Sequence, residues 1–248
     1  MTASSAIMPH LDADLGHSLS PNFDHRPANA PLDHLVLHYT GMDSAQAARA
    51  RLCDPAAKVS AHYLIDEDGT IEQLVPERYR AWHAGLSYWR GVSHLNDRSI
   101  GIEIVNPGHE HGYRPFPARQ ITALIGLCQA ILARHPIPAR NIVAHSDIAP
   151  TRKTDPGELF PWPTLAAHGI GLYPSTQPDA PDLIPDLEPD LNPILTAIGY
   201  DPAAPLDARI TAFQRRFAPT TITSQPDPFT RARAQQLGAL FNDLGNQR

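Results

Sequence analysis

Proline constrains this chain more than any other residue. The sequence holds 26 prolines in 248 residues, about twice the usual share of about 5%. Eight of them fall between Pro174 and Pro205. Proline fixes φ and has no N–H to donate, so such a run breaks helices and central strands. It divides the chain into an N-terminal arm (1–30), a domain over 31–173, a proline-rich linker (174–189) and a helical domain (190–248). Hydrophobic residues make up 42%, enough for a core and too many for a chain disordered throughout. No apolar run approaches the roughly 20 residues of a membrane helix. The net charge of −6 leaves no broad basic face, which argues against nucleic acid as a partner. Cys53 and Cys128 fall in helical patterns and read as small buried hydrophobes, not as a disulfide framework. Met1 to Pro21 has no apolar core behind a basic front. It does not read as a secretory leader, so the expected location is cytoplasmic, or periplasmic if a leader was removed.

Within 31–173 the pattern mixes strands and helices. His34–Tyr39 alternates, with Leu35, Leu37 and Tyr39 on one face and His34, Val36 and His38 on the other. Ser44 caps a helix running to about Asp54, which Pro55 closes. Ser60–Asp66 and Thr70–Val75 flank Asp68-Gly69, a hairpin signal. Ser99–Val105 sets Ile100, Ile102 and Ile104 on one face and Gly101, Glu103 and Val105 on the other. Ala118–His135 carries a broad apolar stripe, and Asn141–His145 reads as a last short strand. The fold class expected is α/β, a mixed central sheet flanked by helices, followed by a small all-α three-helix domain at Leu191–Ile198, Leu206–Phe217 and Pro228–Leu244.

Thirteen histidines are present, and two stand at strand ends, where open sheets carry their sites. These are His38 and His145, and Asp155 follows ten residues after the second. Two imidazoles and a carboxylate suit zinc with a fourth position open to water. The spacing alone equally fits two core histidines and a loop-capping aspartate, since no short His-x-x-x-His pair is present. Glu103, amid Ile-Gly-Ile-Glu-Ile-Val, is expensive to bury without a partner; it is either on a solvated sheet face or a proton acceptor beside a metal. Lys153 lies two residues before Asp155 and within reach of the same site.

Five segments then come in order: Leu-His38-Tyr-Thr-Gly, Val59-Ser-Ala-His-Tyr-Leu-Ile-Asp-Glu-Asp-Gly69, Ala81-Trp-His-Ala-Gly85, Asn96-Asp-Arg-Ser-Ile-Gly-Ile-Glu103 and His145-Ser-Asp-Ile-Ala-Pro-Thr-Arg-Lys-Thr-Asp155. Together they resemble the zinc-dependent N-acetylmuramoyl-L-alanine amidases of the type 2 family, which also includes the peptidoglycan recognition proteins. The resemblance covers roughly residues 20–173. It implies zinc held by His38, His145 and Asp155, Glu103 as catalytic acid/base and Lys153 as the catalytic lysine. It further implies Tyr63, His83 and Asn96 as substrate-binding positions. Trp82 and Trp89 either line a sugar groove or pack under the loops; packing is the expectation for Trp82. The implied reaction is hydrolysis of the amide between N-acetylmuramoyl, or 1,6-anhydro-N-acetylmuramoyl, and L-alanine of the stem peptide in peptidoglycan or muropeptides. The alternatives are a non-catalytic peptidoglycan-binding recognition protein and a zinc peptidase acting within the stem. Ile210-Thr-Ala-Phe-Gln-Arg-Arg-Phe217 resembles the three-helix peptidoglycan-binding domain. The glycine-rich turn usual there is replaced by Ala218–Asp227, which has no glycine.

Overall fold

The computed structural model describes residues 20–178 and 190–243. Residues 1–19, which carry most of the expected arm and the reading of a missing leader, lie outside the described residues, as does most of the expected linker. The chain runs β1 (Phe23–His25), β2 (His34–Tyr39), α1 (Ala45–Cys53), β3 (Tyr63–Ile65), β4 (Ile71–Gln73), β5 (Tyr79–Ala81), β6 (Tyr88–Trp89), β7 (Val92–Ser93) and β8 (Ser99–Ile104). Then come α2 (Ala118–Arg134), β9 (Ile142–Ala144), α3 (His145–Ile148), α4 (Trp162–Ala167), α5 (Leu191–Ile198), α6 (Leu206–Phe217) and α7 (Pro228–Asp243).

The central sheet has the order β4-β3-β8-β2-β9. Only the β3–β4 pair is antiparallel; β3–β8, β2–β8 and β2–β9 are parallel. The Asp-Gly hairpin forms as expected, with Gly69 at φ 91 and Asp66 N–H donating to Thr70 O at 2.9 Å. Alternation decides the two faces. Leu35, Leu37, Ile100, Ile102 and Ile104 pack with Leu124, Leu127, Cys128 and Ile131 of α2. The register puts His38 beside Glu103 and Glu103 beside Leu64, on the opposite face.

Residues 20–30 are built into the fold instead of forming a free arm. β1 pairs with β5, and the Arg26 guanidinium donates to the carbonyls of Glu77, Asn96, Asp97 and Ser99. The stretch 76–98 holds β5, β6 and β7, two- and three-residue strands too short for a periodic signal. At the far end of α2, the buried Glu77 carboxylate accepts from Tyr63 at 2.7 Å, Arg134 at 2.6 Å and His135 at 2.7 Å.

The C-terminal helices are not a tethered module. Trp89, Leu95, Val143 and Ile148 share one apolar cluster with Leu195, Ile198, Tyr200, Phe213, Phe217 and Leu237. The Trp89 ring meets Tyr200 edge-on at 5.2 Å, and a Cβ on Gly199 would lie 2.7 Å from Trp89. The glycine there leaves room for the indole.

Two outcomes follow for stability. Trp89→Ala should cost about 3–5 kcal/mol and lower one calorimetric transition shared by sheet and helices. Two resolved transitions would show that the parts fold separately. Burial alone would raise the Glu77 carboxyl, but hydrogen bonds from Arg134, His135 and Tyr63 pull it down to about 2. Its depressed value means that ionised Glu77 contributes stability at neutral pH, and that this is lost as pH falls from the ordinary carboxylate range through about 2. Glu77→Gln should therefore lower stability at pH 7 by roughly 1–3 kcal/mol. In denaturant titrations the gap to the parent should close on acidification; a gap that widens would refute the assignment.

Candidate active site

Parallel pairing brings the C-terminal ends of β2, β8 and β9 to one edge of the sheet. His38 lies near the end of β2, and β9 stops at Ala144 so that His145 opens α3. Asp155 returns from the following loop, held where its carbonyl accepts from Ser146 N–H at 3.0 Å. The three side chains converge and are buried. His38 Nδ1 is 2.9 Å from His145 Nδ1 and 3.1 Å from Asp155 Oδ2, and His145 Nδ1 is 3.0 Å from the same oxygen.

The hydrogen-bond partners fix the tautomers. The Leu95 carbonyl can only accept, so the Ser99 hydroxyl donates to it at 2.6 Å. Ser99 Oγ then accepts from His83 Nε2–H at 3.1 Å, and the bare His83 Nδ1 accepts from His38 Nε2–H at 3.0 Å. His38 Nδ1 is left without a proton. His145 Nε2–H likewise donates to the Ala84 carbonyl at 3.1 Å, which leaves Nδ1 bare in the neutral ring. Two imidazole lone pairs and a carboxylate oxygen therefore face one another with no proton to share. A tetrahedral zinc ion with bonds of about 2.0–2.1 Å needs donors roughly 3.3 Å apart, close to this triangle. The donor set fits a metal cation, and the outer bonds to His83 and Ala84 are of the kind that orient metal-binding histidines.

Burial and neighbouring charge keep the His38 and His83 rings neutral. Burial first, then the adjacent His145, depress His38 to about 4. Burial and the neighbouring His38, His62 and His145 hold His83 well below the ordinary imidazole range. The His83 ring lies against Gly101, where a Cβ would stand 2.4 Å from His83 Cγ. Asp155 is opposed by burial, but His145 and His38 hold it well below the usual carboxylate range.

A cavity of about 480 Å³ opens over the triad, with Glu103, Lys153, Tyr39, His109 and Arg152 in its wall. Glu103 Oε2 is buried without a hydrogen-bond partner. Burial, then the Asp155 charge, push this carboxyl well above its ordinary value, against the pull of Lys153. Among the described residues this oxygen has no partner, and it stands beside the donor triad.

The remaining expected positions divide. His83 lines the cavity and holds His38. Asn96 is outside the cavity wall; its Oδ1 accepts from His83 N–H at 3.1 Å and Ala84 N–H at 2.7 Å, so it fixes the loop that presents both groups. Tyr63 faces the α2 side of the sheet and donates to Glu77. Trp82, expected to pack away, lines the cavity while its Nε1 donates to Asp24 at 2.9 Å. Trp89 is buried under the C-terminal helices. Tyr39, His109 and Arg152 were not singled out from sequence. Arg152 adjoins Lys153, which was the available signal; His109 lies in a loop with no pattern of its own.

A family model described as N-acetylmuramoyl-L-alanine amidase matches residues 28–158. The N-acetylmuramoyl-L-alanine amidase AmiD of Escherichia coli is 40% identical over 90% of this chain and 88% of its own. The solved complex of that enzyme with anhydro-N-acetylmuramic acid-L-Ala-D-gamma-Glu-L-Lys aligns at a TM-score of 0.74 and 41% identity, covering 86% of this chain and 91% of the other. The 1,6-anhydro-N-acetylmuramyl-L-alanine amidase AmpD of Enterobacter cloacae is 37% identical over 60% of this chain and 87% of its own. With the matched region carrying the whole triad together with Glu103 and Lys153, this chain belongs to the N-acetylmuramoyl-L-alanine amidase family.

Proposed function

We propose that this chain hydrolyses the amide joining a muramoyl lactyl group to L-alanine of the stem peptide, on soluble 1,6-anhydro-muropeptides. The observation that carries the reading is the proton-free donor triad set beside the unpartnered Glu103. The substrate printed for the solved Escherichia coli relative supports the choice of an anhydro sugar and peptide.

His38, His145 and Asp155 would hold zinc, through two imidazole nitrogens and one carboxylate oxygen. When bound, the ion supplies Lewis acidity, polarising the scissile carbonyl and lowering the pKa of water. The chain's own groups do the rest. Glu103 accepts a proton from the attacking water and passes it to the leaving amine. The new C–O bond and the broken C–N bond leave a lactyl carboxylic acid and a free L-alanine amino group. The Lys153 ammonium stabilises negative charge as it develops on the carbonyl oxygen. His83 and the Ala84 carbonyl hold the ligand rings, and Trp82 and Tyr39 close the cavity wall.

Three measurements test this. Glu103→Ala should lose at least about 10²-fold in kcat while zinc stays stoichiometric; full turnover would sink the assignment. Asp155→Ala should lower zinc content in metal analysis, and stoichiometric zinc there would refute the ligand set. Mass spectrometry of digests should show free stem peptide and intact anhydro sugar, with faster turnover of soluble anhydro-muropeptides than of intact sacculi. Cleavage within the peptide, or a preference for sacculi, would overturn the substrate reading.

A further inference from the structure

Asp147 lies in α3 two residues after His145, outside the donor triad. Its carboxylate is fully buried. Oδ2 accepts from Ala144 N–H at 2.9 Å and from Arg216 Nη1 at 2.6 Å, and Oδ1 accepts from the Tyr200 hydroxyl at 2.8 Å. Two of these three donors come from the C-terminal helical part, beyond residue 158 where the family match ends.

Arg216 is as buried as its partner needs. It is 5% exposed, lies 3.8 Å over the Trp162 ring, and also donates to the carbonyls of Ile142 at 3.2 Å and Leu172 at 3.3 Å. Its guanidinium thus grips β9 through the Ile142 carbonyl and, through Asp147, the Ala144 N–H. Those two backbone groups bracket the last turn of chain before His145.

A buried ion pair is a poor source of stability. Desolvation cancels much of its attraction, and an apolar replacement of the same volume is often as stable. What the pair supplies is geometry. Ala144 N–H is fixed by Asp147, so the backbone entry to His145 is set. The His145 ring is held at its other end by the Ala84 carbonyl, and Ala84 belongs to the same apolar cluster as α5 and α6. The backbone support of His145 therefore leans on the C-terminal helices, through Asp147.

We propose that Arg216 and Tyr200 are positioning residues for the metal centre, acting through Asp147, so that the C-terminal helices form part of the metal site. The proposal rests on the zinc reading above. It is tested on the full chain by zinc affinity, measured in competition with a chelator, alongside kcat, KM and thermal unfolding. Arg216→Met should weaken zinc about 10- to 100-fold, the usual loss for a group that orients a metal ligand. Arg216→Lys, which keeps a cation facing Asp147, should recover most of it. Tyr200→Phe removes one hydroxyl and leaves the ring, and should weaken zinc about threefold or more; it decides alone if Arg216→Met does not fold. Leu237→Ala, in the same helices without contact to Asp147, should lower thermal stability with zinc affinity unchanged. Parent-like zinc affinity in the Arg216 and Tyr200 variants, or an equal loss in Leu237→Ala, would overturn the proposal. A parent chain that binds no zinc would instead overturn the metal reading itself.

Discussion

Three acceptors that face one another at about 3 Å repel unless a cation or a shared proton lies between them. The surrounding chain is arranged to withhold the proton. The Leu95 carbonyl orients Ser99, Ser99 orients His83, and His83 accepts a hydrogen bond from Nε2–H of His38, which keeps the proton on that nitrogen. The Ala84 carbonyl does the same for His145. Parallel pairing of β2 with β8 and β9 sets the separation of the rings, and the apolar face against α2 holds those strands in register. The cavity and the buried Glu103 carboxylate are arranged around this one cluster of lone pairs.

Much of that was legible in the sequence because it is local or periodic. Two-residue alternation in His34–Tyr39 and Ser99–Ile104 separated the packing face from the chemical face correctly, and the Asp-Gly pair marked the β3–β4 hairpin. Ser44 and the spacing in Leu191–Ile198 and Leu206–Phe217 gave helix boundaries matching the observed ones. The ordered motifs pointed to His38, His145, Asp155, Glu103 and Lys153 together. What stayed hidden has no local signature. β5 to β7 are two or three residues long, below any periodicity. Trp82 and Trp89 sit seven residues apart in one loop-rich stretch, and which of them faces the cavity is decided by partners far along the chain, Asp24 for one and Tyr200 for the other.

The proline run misled in an instructive way. Proline reports that a segment cannot continue a helix or central strand; it carries no information about what packs on either side. Val143 and Ile148 from the sheet domain and Phe213 and Phe217 from α6 belong to one cluster. An apolar cluster thus crosses the expected boundary. The same packing buries Arg216, whose charge is met there by Asp147 at 2.6 Å.

Gly101 carries a consequence that reaches beyond its own place in β8. A methyl group there would occupy the volume of the His83 ring. Once displaced, His83 no longer accepts from Nε2–H of His38, and that ring is free to carry its hydrogen on the other nitrogen. A protonated Nδ1 would point a donor into the triad and shut it to a cation. Whether the triad stays open to a cation thus depends on a hydrogen atom standing where every other residue would place carbon.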